Sequence, residues 1–486
     1  TTTSSTTRNA LARHNGGMTM FRTIATLSVA TLMAGCNFAP VYQQPALPVP
    51  SAFPATQDAG ARPVSIGTPG WNSYFADPRL KQLIAAALDN NVDLAGSAAR
   101  IEQARARFGI QDAQRLPSLD GTAGYTRSRQ RIPALNGADA GTVVADNYTA
   151  GVGVSGFEID LWGRVRNLSE QARAQFLSTV QGERAFRISL IGQVSAAYYD
   201  MRAGEARIAL AEQTLQGRME GLRIAQRRLD AGITTTVDYD QSVLLTTQAK
   251  SELADLKRST EQARTLLTLL VGGSLPAAAE PPLPLEASGV TMVLEPGLPS
   301  SVLTERPDIL EAELNLRAAN ANIGAARAAF FPNISLTGNL GFASPALGDL
   351  FNGSSRTWSF GPAIDLPIFD WGRRSAQLDL SRAQADEMIA VYQSTVQTAF
   401  REVADALVAR RGFAEQIEAM EQTVAAQTRL SRTATRRYEQ GLSIYLEVLD
   451  VERNLFNSRQ QLIGLKSAAV QNEISLYVAL GGGRVD

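Results

Sequence analysis

The feature that most constrains this chain is a strand-to-helix transition written twice. "FEIDLWGRVRN" (Phe157–Asn167) and "LPIFDWGRRSAQ" (Leu366–Gln377) each run from alternating apolar residues through an Asp into Trp-Gly-Arg. Each then opens about 68 residues without a proline, Arg164–Ala231 and Arg373–Gln440. In the second run Ala385, Ile389, Tyr392, Val396, Phe400, Val403 and Leu407 step by three and four, and Phe413, Ile417, Met420 and Val424 continue the pattern. That period is helical, and its persistence matches coiled-coil packing. At 1.5 Å per residue such a helix reaches roughly 100 Å, far beyond the ordinary globular helix.

The two Trp-Gly sites lie 209 positions apart, at Trp162 and Trp371. The same offset lays Arg228–Gly232 on Arg437–Gly441 and Leu270–Gly273 on Ala479–Gly482. Upstream the offset becomes 215, placing Gly109–Pro117 on Gly324–Pro332 and Asp93-Leu94 on Asp308-Ile309. The difference falls where the first copy carries "PALNGADAGT", an insertion of the kind a loop accommodates. The chain therefore reads as an internal duplication.

Each unit has the same order. A helix of about 25 residues (Val92–Leu116, Pro307–Phe331) stops at the helix-to-strand prolines Pro117 and Pro332. An apparent hairpin follows. In the second copy Ile334, Leu336, Leu340 and Phe342, then Trp358, Phe360, Ile364 and Leu366, alternate with polar or small residues, giving two strands with one apolar face each. The first copy is weaker, with Leu119, Ala123 and Tyr125, then Val152, Val154 and Ile159. The long helix, a turn at Gly232 or Gly441, and a return helix of about 39 residues complete the unit. Short and return helices together match the long one in length, so they are expected to stack end to end beside it. The expected divisions are an extension and signal peptide over 1–35, an N-terminal and equatorial segment over 36–77, a first repeat over 78–273, an equatorial linker over 274–305, a second repeat over 306–482, and a tail over 483–486.

Composition narrows what this can do. The 486 residues are 44% apolar with a net charge of −1, enough for a large core and no basic surface for nucleic acid or anionic lipid. With one histidine, His14, ahead of the folded region, neither His-based acid–base catalysis nor a His metal site is available to the fold. One cysteine, Cys36, excludes an intramolecular disulfide. It follows an apolar run, Ile24–Met33, that is too short for a membrane span of ~20 residues and suits a signal peptide. "LMAGC" has the character of a bacterial lipobox, with Cys36 the acylated residue and Asn37 compatible with outer-membrane sorting; the alternative is an ordinary secretory signal with an incidental Cys. No other stretch is long and apolar enough to span as a helix.

Four strands with one apolar face cannot close a barrel alone, and an open sheet leaves backbone groups unpaired in lipid. An outer-membrane protein of this kind must complete its barrel with other copies, and glycine-rich strands such as "YTAGVGVSGFEID" suit a wall apolar toward lipid and polar toward a lumen. An ordinary β-sandwich edge is the competing reading of these strands.

The sequence resembles the TolC-like outer-membrane factors, and more closely their NodT/OprM-type lipoprotein branch. The residues carrying the resemblance are "LMAGC", "NFAPVYQQP", "FEIDLWGRVRN", "RPDILEAELNLRAANANIGAARAAFFPNISLTG", "IFDWGRR" and "RRYEQGLSIYLEVLDVERNLFNSRQQL", in this order over nearly all of Cys36–Asp486. The resemblance implies an α+β membrane protein. It would form a homotrimer whose twelve strands make one outer-membrane β-barrel, continued by a periplasmic α-helical barrel. Its implied partners are outer-membrane lipid, a periplasmic membrane-fusion adaptor and an inner-membrane pump of RND, ABC or MFS type. No cofactor is expected beyond a covalent lipid on Cys36, and the implied function is a passive efflux duct gated at the periplasmic helix tips.

At those tips Glu447 and Asp450 form an i,i+3 pair on one helix face, able by symmetry to make an acidic, cation-preferring ring. Family members close the entrance through Tyr, Arg and Asp, and Tyr438, Glu447 and Asp450 match the Tyr and the two acidic places. The family Arg after the tip glycine is missing, with Ser443 near its position, so the latch must draw on Arg436, Arg437, Arg227 or Arg228. In the first copy Asp238 aligns with Glu447, and Asp240 lies beside the Gln241 that aligns with Asp450. The plainer reading of each is a solvated charge favoured by the helix dipole. Trp162 and Trp371 are expected as interfacial anchors at the strand-to-helix transitions rather than path-lining residues. Asp160 and Asp370 are expected to cap the following helices, with Gly163 and Gly372 permitting the bend. A periplasmic adaptor or coiled-coil scaffold without a pore is the alternative function. An enzyme would need a catalytic constellation, and the sequence offers no nucleophile triad or phosphate loop.

Overall fold

A computed structural model describes residues 37–51, 53, 70–132, 141–277, 283 and 300–483. The signal segment, Cys36, the loop insertion at 133–140 and most of the expected equatorial girdle lie outside the described residues. After a single helical turn at Trp71–Tyr74, the elements run α1 (Pro78–Asn90), α2 (Val92–Ala113), β1 (Asp120–Ile132), β2 (Gly141–Glu158), α3 (Arg164–Asp230) and α4 (Thr236–Val271). A 3-10 segment at Ser300–Glu305 then leads to α5 (Pro307–Ala328), β3 (Asn333–Ser344), β4 (Arg356–Asp365), α6 (Arg373–Glu439) and α7 (Tyr445–Ala479). Helices α3 and α6 are both 67 residues long.

The short helices end three residues earlier than expected, at Ala113 and Ala328. The residue before a proline disfavours the helical region, and the chain tightens beforehand: Leu116 N–H donates to Ala113 O at 3.1 Å, and Phe331 N–H to Ala328 O at 3.1 Å. The return helices, at 36 and 35 residues, are also slightly shorter than expected. Their stacking on the short helices has a specific chemistry in each copy. Asn91 accepts from Leu94 N–H at 2.9 Å, capping α2, while its amide donates to Leu270 O at 2.9 Å near the end of α4. Arg306 stands at the equivalent junction. It is buried, donates to Ala479 O at 2.5 Å at the end of α7, and pairs with Asp308 at 2.7 Å and Glu402 at 3.0 Å.

The four strands form one antiparallel sheet in the order β1-β2-β3-β4. Its register places Ala123 opposite Ala150, Tyr125 opposite Tyr148, Ala150 opposite Phe342, Val152 opposite Leu340, Leu340 opposite Trp358 and Ile334 opposite Ile364. Since side chains alternate across a strand, these residues share one face, and Thr122, Asn147, Thr149, Ser335, Thr337, Asn339, Thr357 and Ser359 share the other. Among the described residues the apolar face is exposed, with Tyr125, Val152 and Leu340 about half accessible and Trp358, Phe360 and Ile364 more so.

The chain divides into two compact units, each drawn from both halves of the sequence. One comprises residues 1–44, 103–177 and 314–390 and holds the sheet. In it the segment after Cys36 is fastened to α5, where Asn320 donates to Pro40 O at 2.8 Å, Arg327 donates to Phe38 O at 3.1 Å, and the Arg317 guanidinium lies 4.8 Å from the Tyr42 ring centre. The other unit comprises residues 45–102, 178–313 and 391–486. Its core has two clusters, one around Tyr74, Leu83, Ile84, Val194, Tyr198 and Leu267, the other around Phe53, Leu303, Ile309, Tyr392, Val396 and Leu476. Within the first, buried Asp77 caps α1 through Arg79 N–H at 2.8 Å and accepts the Tyr198 hydroxyl at 2.9 Å.

Candidate functional site

Both long helices end in the same device. Gly232 and Gly441 take φ of 69° and 74°, which a side chain disfavours. Gly232 N–H donates to Leu229 O and Ile233 N–H to Arg228 O; Gly441 donates to Tyr438 O and Leu442 to Arg437 O. This pair of bonds is the Schellman arrangement, and it satisfies the last carbonyls of the helix. Each long helix carries two arginines in its last turn, Arg227 and Arg228 or Arg436 and Arg437. Each return helix carries one acid in its first, Asp238 or Glu447. Those signs suit the two macrodipoles.

The tips bring together only part of the expected gate. Tyr438 accepts a hydrogen bond from Arg228, whose guanidinium lies 5.2 Å from the Tyr438 ring centre. Of the four candidate arginines, Arg228 therefore meets the tyrosine, and Arg437 meets Glu447 at 3.4 Å. Asp450 turns instead to its own helix, pairing with Arg453 at 2.5 Å and Asn454 at 3.3 Å. Asp238 accepts the Thr234 hydroxyl, and Asp240 is exposed. Ser443 Oγ is buried without a hydrogen-bond partner.

Tyr445 and a partly buried group of charged residues behind it went unread in the sequence. The Tyr445 ring lies 5.0 Å from that of Tyr438, and its hydroxyl sits where a Cβ on Gly221 of α3 would be. Burial, with Glu452 nearby, pushes its hydroxyl up to about 12. Further along, burial draws the Arg218 guanidinium below its ordinary value and raises the carboxyls of Glu252 and Glu452, with Arg218 opposing both rises. Arg218, Leu245, Gln248, Glu252 and Arg453 line a pocket of about 150 Å³. The available signal was a charged residue interrupting helical spacing, which also describes most solvated positions.

The two strand-to-helix transitions fall between elements and differ from each other. Asp160 accepts from Arg166 N–H at 2.7 Å and Asp370 from Arg374 N–H at 3.1 Å, so both cap the helix that follows. Gly163 and Gly372 take φ of 76° and 83°. Trp162 donates to Pro332 O at 2.8 Å and stacks on Phe331 at 4.9 Å, whereas Trp371 is exposed. Pro117 and Pro332 precede β1 and β3 by a few residues or one.

The family model for outer membrane efflux proteins matches residues 83–273 and 298–482. The chain belongs to the outer membrane efflux protein family. This efflux protein is 42% identical over 468 residues to the probable efflux pump outer membrane protein TtgC of Pseudomonas putida, covering 96% of each chain. It is 39% identical to the cation efflux system protein CusC of Escherichia coli, covering 94% of this chain and 97% of that one. Its structure resembles the open state of the Neisseria gonorrhoeae MtrE outer membrane channel with a TM-score of 0.83 at 36% identity, covering 92% of this chain and 98% of that one. This efflux protein is thus an outer-membrane channel component of an efflux system, and a pore-less scaffold is not favoured. Among its described residues no helix is long and apolar enough to cross a membrane.

Proposed function

We propose that three copies of this chain form a passive duct, their twelve strands closing one outer-membrane barrel and their long helices continuing it as a periplasmic tunnel. The observation that carries this is the sheet itself. It ends in two edge strands, β1 and β4, each paired on one side only, and bears an apolar face that is exposed among the described residues. Lipid accepts that face only if every edge is paired. The equal lengths of α3 and α6, and of α2 and α5 at 22 residues, support descent of the two halves from one duplicated unit, with divisions at 78–273 and 306–482. Outer-membrane fractions are expected to give a heat-modifiable, trimer-sized band; monomer-sized migration without heating would remove the trimer.

In this reading the closed entrance is held by Arg228–Tyr438 and Arg437–Glu447, and the exposed carboxylates of Asp450 and Asp240 supply the acidic ring. Removing Glu447 and Asp450 together should raise conductance in planar bilayers and weaken cation preference; unchanged conductance would place the gate elsewhere. The exposed apolar residues Ile233, Leu442, Ile444 and Leu446 at the tips offer a docking rim for a periplasmic adaptor, behind which an inner-membrane pump supplies the driving force. Cys36 carries the lipid anchor, and Cys36→Ser should abolish lipid labelling.

A further inference from the structure

The chain contains one complete junction between neighbouring hairpins and two halves of another. The complete one lies where β2 meets β3. There Ile159 N–H donates to Ile334 O at 2.8 Å, Trp162 Nε1 donates to Pro332 O at 2.8 Å, and Trp162 stacks on Phe331, which stacks in turn on Phe38 at 4.5 Å. The 209 and 215 offsets carry each partner to its counterpart: Ile159 to Ile368, Trp162 to Trp371, Ile334 to Leu119, Phe331 to Leu116 and Pro332 to Pro117. All five counterparts stand open. Trp371 and Ile368 are each 90% exposed, Leu116 72% and Leu119 71%. Phe369, 4.7 Å from the Trp371 ring, is available as the second ring that Phe38 provides at Trp162. Trp371 is also the one non-glycine among the described residues with positive φ, at 57°, a strain that Trp162 does not share.

We propose that β4 of one copy pairs with β1 of the next by repeating this junction, with Trp371 stacked on Leu116 of the partner subunit and its indole N–H donated to the carbonyl of Pro117 of the partner subunit. The inference rests on the multimeric reading given above and adds its register. The sheet order makes β4 antiparallel to β1, as β2 is to β3. Ile368 falls opposite the partner's Leu119, Ile364 opposite the partner's Ala123 and Pro362 opposite the partner's Tyr125. Every such pair keeps the apolar face continuous, because Ala123, Tyr125 and Ile364 already share that face within the chain. The β2–β3 ladder shifts by one residue between Val154 and Phe157, where the apolar alternation of β2 changes phase; in the new edge the alternation runs unbroken through Phe360, Ile364, Leu366 and Ile368 and through Leu119, Ala123 and Tyr125, so a single register serves it. Pro362 has no N–H, so β4 makes one ladder bond fewer than a strand without proline.

In this register Asp365 lies opposite the partner's Thr122 on the polar face, so Asp365→Cys with Thr122→Cys in the full-length chain should bridge neighbouring copies. Mild oxidation in outer-membrane fractions is expected to yield a covalent trimer on non-reducing gels, while Asp365→Cys with Gly124→Cys, two residues out of register, yields none. Trp371→Phe keeps the ring and removes the donor, and should lower the temperature at which the unbridged trimer dissociates; an unchanged dissociation temperature would overturn the indole bond. A trimer-sized band that bridges only through the shifted pair, or through neither, would overturn the register and leave the trimer standing. Monomer-sized migration of the unsubstituted chain would overturn both.

Discussion

At the scale of single residues, the tip is held by few atoms. Arg228 reaches Tyr438 from the opposite hairpin, and Tyr445 packs behind it over Gly221. A hydrogen bond from a charged donor contributes about 1.5–3 kcal/mol when sheltered, and a partly exposed one contributes less, on the order of 1 kcal/mol. Tyr438→Phe retains the ring beneath the guanidinium and loses only the acceptor. It is therefore expected to shift a closed entrance toward the open state by roughly fivefold, read as open probability in planar bilayers, with Arg228→Ala at least as large. Gly221→Ala would place a methyl against the Tyr445 hydroxyl and should loosen the same contact by displacing a rigid ring. Wild-type open probability in all three variants would show that these residues only pack the tip.

At the scale of elements, each return helix is tied to the short helix it abuts by one polar side chain. Arg306 is the stronger case, since its removal leaves Ala479 O without its donor and Asp308 and Glu402 without their cation. Both carboxylates are partly exposed, so Arg306→Met is expected to cost about 2–3 kcal/mol, below the 3–5 of a fully buried pair, as measured by the temperature at which helical signal is lost. Helices α4 and α7 also carry a pH dependence. The carboxyls of Glu252 and Glu452 are raised by burial above the ordinary value of 4.5. A raised folded value means stabilisation that is full below the unfolded value and is lost as pH rises through the folded one. Protection from hydrogen exchange near the tips, corrected for the pH dependence of intrinsic exchange, should thus be higher at mildly acidic than at neutral pH, and Glu252→Gln with Glu452→Gln should keep the higher protection throughout. Parallel pH profiles in parent and variant would remove these carboxyls from the account.

At the scale of the whole molecule, the described chain presents a sheet with an apolar face, two open edges and long amphipathic helices. It belongs to the outer membrane efflux protein family. If lipid covers the apolar face, Trp358→Asp and Phe360→Asp should each reduce assembled protein in the outer membrane, because a charge on the lipid side of a strand costs a few kcal/mol. Thr357→Asp and Ser359→Asp, one residue away on the polar face, should not. Equal losses from both faces would mean that the sheet does not face lipid.

The sequence by itself determined the elements and their order. Two periods, 3.6 and 2, separated helices from strands, and Pro117, Pro332, Gly163, Gly372, Gly232 and Gly441 marked the boundaries within a few residues. It also determined the end-to-end stacking of short and return helices, because their summed lengths match the long helix. Only the tertiary structure decided which side chains meet. Arg228, rather than Arg227 or Arg436, reaches Tyr438, and Asp450 turns to Arg453, because both depend on helix rotation across the packed hairpins. The same holds for the two tryptophans of the repeated Trp-Gly-Arg. Periodicity treats Trp162 and Trp371 as equals, yet only Trp162 finds Pro332 and Phe331, since the sheet supplies a following hairpin to one copy and an open edge to the other.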